Sequence, residues 1–366
     1  MTSSETHPET IILDPAKYEL DDEQFGKYEL DDERLGTVLS DLYTSNGIRI
    51  HIADARPEGP EKDENGNPIR VGKTYLMPRH FLSFTDVELD QLHDGVLADA
   101  MGARIIAIDT PGTSLHETSG KTTLRQKLKL LGGSFSDHAR LQLEAVRALG
   151  LEDLDKAGLI GFSLGAKAVA SMFEGTALED NNIKVESVDL LEPVNDRNWF
   201  LPKLMAAMTH EDKQVDRYLM ETFEAQSRDP DPEIAERVSG PRITAYDRDE
   251  KKPTKKIKGK TTPISMDSAL VAAGMGTAGF ARKLARYKRA NPEKFEDVPI
   301  NVYRAEGSQI SRRKTNKQTA EALGANYFEV SAGADEKPLG HRFWISLGRA
   351  AILGKELVKH PETKVS

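Results

Sequence analysis

The chain of 366 residues contains no cysteine. That excludes disulfides, thiolate metal sites and a cysteine nucleophile, and it agrees with a reducing compartment. Long apolar runs are missing too: none approaches the roughly 20 residues that cross a bilayer. Met1 to Pro8 is polar, without a basic stretch leading into an apolar core, so no signal peptide is expected. There is no positive excess either. Fifty lysines and arginines stand against 59 acidic residues, for a formal net charge of −9. Bulk attraction to nucleic acid or to an anionic membrane is therefore not expected. No dinucleotide fingerprint and no metal-ligand cluster is evident, so neither cofactor nor metal is expected. The default is a cytoplasmic protein, long enough for one large α/β domain with an insertion or for two domains.

What is present begins with a tandem repeat. Lys17 to Gly26 (KYELDDEQFG) is followed by Lys27 to Gly36 (KYELDDERLG). Two copies are too few for a solenoid, and the acidic, apolar-poor composition predicts a solvated or loosely docked arm over residues 1–36. Beyond it, Ile48, Ile50 and Ile52 alternate with Arg49 and His51, the period of a strand. A polar region rich in Pro, Gly and Asn follows, from Arg56 to Lys73. Tyr75 to Met77 and Ala103 to Ile108 read as strands, with a helix over Val87 to Met101 between them; Asp137 to Leu149 reads as an amphipathic helix. Val185 to Leu191, Pro299 to Tyr303 and Tyr327 to Val330 read as further strands, and a helix from Phe343 to Val358 closes the chain. Strands alternating with helices imply βαβ units and a mostly parallel central sheet flanked by helices. The alternation lapses between Asn195 and about Lys294. That block shows helical spacing around Leu201 to Met208, Arg217 to Ala225 and Ala269 to Lys288, and a lysine-rich loop from Asp247 to Thr262 that reads as solvated.

The central stretch is Leu159-Ile160-Gly161-Phe162-Ser163-Leu164-Gly165-Ala166. A short apolar run precedes it, as in a buried parallel strand, and an alanine-rich run with Ala168, Val169 and Met172 at helical spacing follows. Ser163 is thus expected on a sharp strand-to-helix turn, its Oγ clear of the sheet and the next backbone N–H free to face a developing oxyanion. The plain alternative is a glycine-bounded turn whose serine only caps the helix.

The order of elements resembles the α/β-hydrolase superfamily. Ile108-Asp109-Thr110-Pro111-Gly112, the helix from Asp137, Leu149-Gly150-Leu151 and the Gly161–Gly165 motif follow one another as in that family, and Tyr327 to Val330 followed by Gly340-His341 resembles its final strand and catalytic-histidine loop. The resemblance implies a core over residues 37–194 and 298–366, with residues 195–297 inserted as a helical cap. It implies Ser163 as nucleophile and His341 as base. The usual acid position on the loop after Pro299 to Tyr303 is Ser308, so three readings stay open: Glu192, at the end of the preceding strand, as the acid; Glu306, on that loop, as the acid; or no acid at all. Leu164 N–H is the first oxyanion donor and His80 or Phe81 the second; Arg79 is read either as a contact for an acidic substrate group or as a partner of a surface carboxylate. The implied activity is a serine hydrolase cleaving an ester or related acyl bond of a small molecule through an acyl-enzyme. The alternative is a non-catalytic protein of this fold used for binding or assembly. No oligomeric state is indicated.

Overall fold

The structure is a computed structural model. It describes residues 9–13, 37–43, 49–57, 73–79, 88–111, 123–149, 156–194, 198–200, 202–204, 206–207, 210–211, 266–277, 279–332, 338–341, 343–345 and 347–359. The strands are β1 (Glu9–Ile12), β2 (Thr37–Tyr43), β3 (Arg49–Ala55), β4 (Thr74–Pro78), β5 (Arg104–Ile108), β6 (Lys156–Phe162), β7 (Lys184–Leu191), β8 (Ile300–Ala305) and β9 (Asn326–Ser331). They form one nine-stranded sheet in the order β1-β9-β8-β7-β6-β4-β5-β3-β2. β3 runs antiparallel to β2 and β5, and the other pairings are parallel.

The residue alternation sets which side chains meet. Ile50, Ile52, Leu76, Ile106 and Ile108 enter one core, and Ala53, Tyr75, Met77, Ile105 and Ala107 enter the other. Successive side chains of a strand point to opposite faces, so a sheet covered on both sides needs continuous apolar runs. β6 fits that rule: every residue after Lys156 is buried. The first face is covered by α3 (Ser136–Ala148), α4 (Leu164–Met172), the short α5 (Ala177–Asp180), α7 (Phe280–Ala290) and α8 (Arg313–Leu323), and the second by α1 (Glu88–Met101) and α9 (Leu347–Lys359). The expected closing helix is broken at its start, where Phe343–Ile345 forms a 3₁₀ turn before α9. Among the described residues no helix is long and apolar enough to cross a membrane.

Two parts of the sequence reading change. Glu9–Ile12, assigned above to a solvated or loosely docked arm, is an edge strand of the sheet: β1 lies parallel to β9, Leu13 N–H donates to Ser331 O at 2.9 Å, and Ile11 and Leu13 are buried. An edge strand needs only one partner's backbone and one apolar side, and four residues are too few to show a period. The repeat from Lys17 to Gly36 lies outside the described residues. The block at 195–297 also divides. α7 carries Phe280, Ala281, Leu284 and Ala285 into the first core against α4 and α8, so it is a flanking helix of the sheet. An amphipathic pattern shows that a helix has a buried face but not what covers it. α6 (Met266–Met275) instead packs on α2 (Leu124–Leu131), and residues 202–204, 206–207 and 210–211 are helical. The buried Lys167 of α4 donates to Gly274 O at 3.4 Å and to Met275 O and Thr277 O, placing a cation on the carbonyl end of α6. The stretch from Arg217 to Ala225 and the lysine-rich loop lie outside the described residues.

A polar row crosses the second face. Asp189 of β7 is buried, its Oδ1 accepting from Asn301 Nδ2 at 2.8 Å and Tyr303 OH at 3.5 Å, while Asn301 Oδ1 accepts from Asn326 Nδ2 at 2.9 Å. Burial pushes the Asp189 carboxyl up to about 7, against the hydrogen bonds from Asn301 and Tyr303 and the Lys73 charge. A folded-state value above the ordinary one makes this group's contribution fullest below about pH 4 and lost as pH rises to about 7. Asp189→Asn removes that dependence. The stability of the variant relative to the native chain is expected to rise across the window by on the order of 1.4 kcal/mol per pH unit at most. Urea unfolding of both proteins at pH 5 and pH 7 measures it, and an equal difference at the two pH values contradicts the assignment.

Candidate active site

β4, β6, β7, β8 and β9 end on the same edge of the sheet, and the chain passes from β5 on one side of β4 to β6 on the other. Open α/β sheets hold ligands beyond the carboxyl ends of their strands at such a reversal. Ser163 sits there, between the last residue of β6 and the first of α4, at φ 53° and ψ −113°. That conformation costs a non-glycine residue about 1–3 kcal/mol and persists only where the surroundings enforce it. Here Ser163 N–H donates to Leu191 O at 2.9 Å, and Ser163 O accepts from Ala166 N–H at 3.2 Å. The flanking glycines are required sterically. A Cβ on Gly161 would stand 2.6 Å from Ala166 Cα, and one on Gly165 would stand 2.4 Å from Pro78 O. Strand, helix and the end of β4 can converge only where those side chains are absent.

His341 lies between Ser163 and Glu192. Its Nε2 is 2.8 Å from Ser163 Oγ and its Nδ1 is 2.8 Å from Glu192 Oε2. The imidazole rests on Phe162, ring centroids 5.2 Å apart, and Trp344 meets the same phenyl ring edge-on at 4.6 Å. Glu192 follows β7 at φ 47°, with its N–H on Tyr303 O at 2.8 Å. It is fully buried; Oε1 accepts from Ala305 N–H, and Ser308 also hydrogen-bonds the carboxylate. Burial pushes the Glu192 carboxyl above the ordinary range, opposed by the hydrogen bonds from His341 and Ser308 and by the imidazole's charge, while the nearby Glu211 carboxylate adds to the upward push. With Glu192 accepting from Nδ1–H, Nε2 is left as the acceptor facing the serine hydroxyl.

Among solved structures, an α/β-hydrolase fold protein from Chitinophaga pinensis matches 89% of this chain and 98% of its own, at TM-score 0.50 and 13% identity. This chain has the α/β-hydrolase fold. Also similar are E-2-(acetamidomethylene)succinate hydrolase (TM-score 0.49, 16% identity, 88% of this chain and 98% of that one) and an esterase from Pyrococcus furiosus (TM-score 0.45, 12% identity, 97% and 99%). No protein-family model and no curated protein sequence matches the chain.

The α/β-hydrolase fold brings some of the sequence candidates together and separates others. Ser163, His341 and Glu192 form one hydrogen-bonded line. Glu306 stands apart from it: it is exposed, and its Oε1 accepts from Ala332 N–H at 3.3 Å. Ser308, at the usual acid position, hydrogen-bonds Glu192, so the loop after β8 still serves the carboxylate without supplying it. Leu164 opens α4 and is buried. His80 and Phe81 lie outside the described residues. Arg79 is neither a surface partner nor open to an acidic substrate. It is buried and pairs with Asp94 of α1, Nη1 to Oδ1 at 2.9 Å and Nη2 to Oδ2, a two-pronged contact that anchors the chain just after β4. Nor does Ser163 stand open on the elbow, since it is 5% exposed. A neighbour that the sequence reading missed is Glu211, whose carboxylate accepts from the backbone N–H groups of His341, Gln309 and Ile310. It belongs to no motif, and only the fold brings it beside His341.

Proposed function

We propose that this chain is a serine hydrolase that cleaves an ester or related acyl bond of a small molecule through an acyl-enzyme. The observation that carries the reading is the single imidazole placed 2.8 Å from both a strained serine hydroxyl and a buried carboxylate. In that geometry Ser163 Oγ attacks the acyl carbon while His341 Nε2 takes its proton. Glu192 holds the tautomer and stabilises the imidazolium. The tetrahedral intermediate collapses as His341 returns the proton to the leaving oxygen or nitrogen. Water then repeats the steps on the acyl-enzyme and frees the acid. Leu164 N–H, first in α4 and next to the nucleophile, is the proposed first oxyanion donor, and His80 the proposed second.

The part of the inserted block that includes residues 202–211 and α6 is proposed as the cap. Leu204, Val271 and Met275 pack with Leu130, Phe135 and Val194 around Leu164, directly beside the nucleophile. A layer there excludes water from the acyl-enzyme and shapes the acyl pocket. The binding-protein alternative draws on the missing acid at Ser308, on the departure at the oxyanion stretch and on the acidic repeat; Glu192 at 2.8 Å from His341 weighs against the first of these. The direct test is covalent labelling. A fluorophosphonate probe is expected to label the folded protein once, on Ser163, and heat-unfolded protein not at all. A folded protein that takes no label refutes the hydrolase reading.

A further inference from the structure

We propose that Glu211 is a positioning residue for His341, acting through backbone N–H groups. This inference rests on the serine-hydrolase reading and extends it to the segment between β7 and β8. Glu211 is 2% exposed. Its Oε1 accepts from Gln309 N–H at 2.7 Å and Ile310 N–H at 3.2 Å, and its Oε2 accepts from His341 N–H. These donors belong to two separate loops, one after β8 and one after β9. The first loop also carries Ser308, which hydrogen-bonds Glu192. One carboxylate therefore ties the loop that supports the acid to the residue that supplies the base. It reaches them from the segment whose Leu204 packs in the cluster around Leu164. Through Glu211 the packing of Leu204 beside Leu164 and the position of the His341 backbone belong to one connected set of contacts.

The arrangement needs two acceptor oxygens on one group. Glutamine has one. Whichever loop its oxygen serves, its NH₂ faces an N–H donor of the other, and a buried donor facing a donor is unsatisfied. The His341 backbone is then expected to shift away from Glu211. Aspartate keeps both acceptors on a shorter arm and is expected to restore part of the geometry. A residue that only consolidates the fold would lower the melting temperature of the variant and leave the kinetics of the folded fraction unchanged.

The test uses the full chain and the Glu211→Gln and Glu211→Asp variants, with two readouts. On a short-chain aryl ester, Glu211→Gln is expected to lower kcat about 10- to 100-fold, the scale of an ångström-level misplacement. KM is expected to stay within about threefold, because ground-state binding is not what is lost. Glu211→Asp is expected to fall between. The second readout does not depend on activity: the ring ¹⁵N shifts of His341 and its low-field Nδ1 proton by NMR, assigned by their absence in His341→Gln. These are expected to move in Glu211→Gln and to move less in Glu211→Asp. Wild-type kcat and unmoved ring signals in folded Glu211→Gln overturn the proposal; if that variant does not fold, the same result in Glu211→Asp does so. Should the native chain hydrolyse nothing and take no fluorophosphonate, the hydrolase reading fails by itself, and the ring signals still decide whether Glu211 positions His341.

Discussion

Ser163→Ala is expected to reduce kcat on an aryl ester by on the order of 10⁴ to 10⁶ while leaving a folded protein. The substitution removes the attacking oxygen and nothing else on the reaction path. His341 stays bonded to Glu192, and the N–H of Leu164, the proposed first oxyanion donor, stays where the turn puts it. Residual turnover is then what binding and the oxyanion donors supply, roughly 10³ to 10⁴ over water. Folding is expected to survive because Ser163 Oγ has His341 as its partner and makes no apolar contribution to the two cores. The backbone that holds the φ of 53° is set by Gly161, Gly165 and the Leu191 carbonyl rather than by the hydroxyl. Near-full activity in a purified variant with a native circular dichroism spectrum would falsify the nucleophile assignment.

Glu192→Gln is expected to cost about 10⁴ in kcat, the scale of an acid-to-amide change in a triad. The reason is local. Ala305 N–H donates to Oε1 of Glu192, so an amide at this position keeps its oxygen there and turns its NH₂ toward His341 Nδ1. The imidazole must then accept at Nδ1 and carry its proton on Nε2, where it meets Ser163 as a donor and cannot take the serine proton. Glu306→Gln is expected to leave kcat within a few-fold of wild type, since Glu306 is exposed and bonds to Ala332 N–H. Both variants assayed on one substrate decide the matter. A severe loss in Glu306→Gln beside a near-normal Glu192→Gln reverses the assignment, and negligible losses in both return weight to a binding role.

Much of the sheet was legible because parallel strands covered on both faces need apolar runs, and β4, β5 and β6 carry them, while β7, β8 and β9 keep enough apolar residues around Asp189, Asn301 and Glu329 to read as strands. The elbow was legible because its geometry is local: Gly161 and Gly165 stand where a Cβ would strike Ala166 and the end of β4. β1 was not legible, because its partner lies more than 300 residues away, at Phe328 to Ser331, and its own four residues carry little pattern. The role of α7 was misread for a related reason. Its apolar stripe is as clear in sequence as that of a cap helix, and only its neighbours α4 and α8 show that it flanks the sheet.

The division at the site has the same physical origin. Local spacing by itself determined that Ser163 stands on a tight turn between a buried strand and a helix, and chain order placed a histidine after the last strand. The choice between Glu192 and Glu306 was not local. Both are glutamates at strand ends, and they differ in the direction their side chains take. The positive φ at Glu192 and the Ala305 N–H aim its carboxylate at His341, whereas Glu306 turns out to solvent. Glu211 had no sequence signal, because it is recognised through backbone N–H groups that every residue possesses. Which of those donors converge on one carboxylate depends on how the loops after β8 and β9 and the helical residues 210–211 pack at the edge of the sheet, and tertiary structure alone decides that.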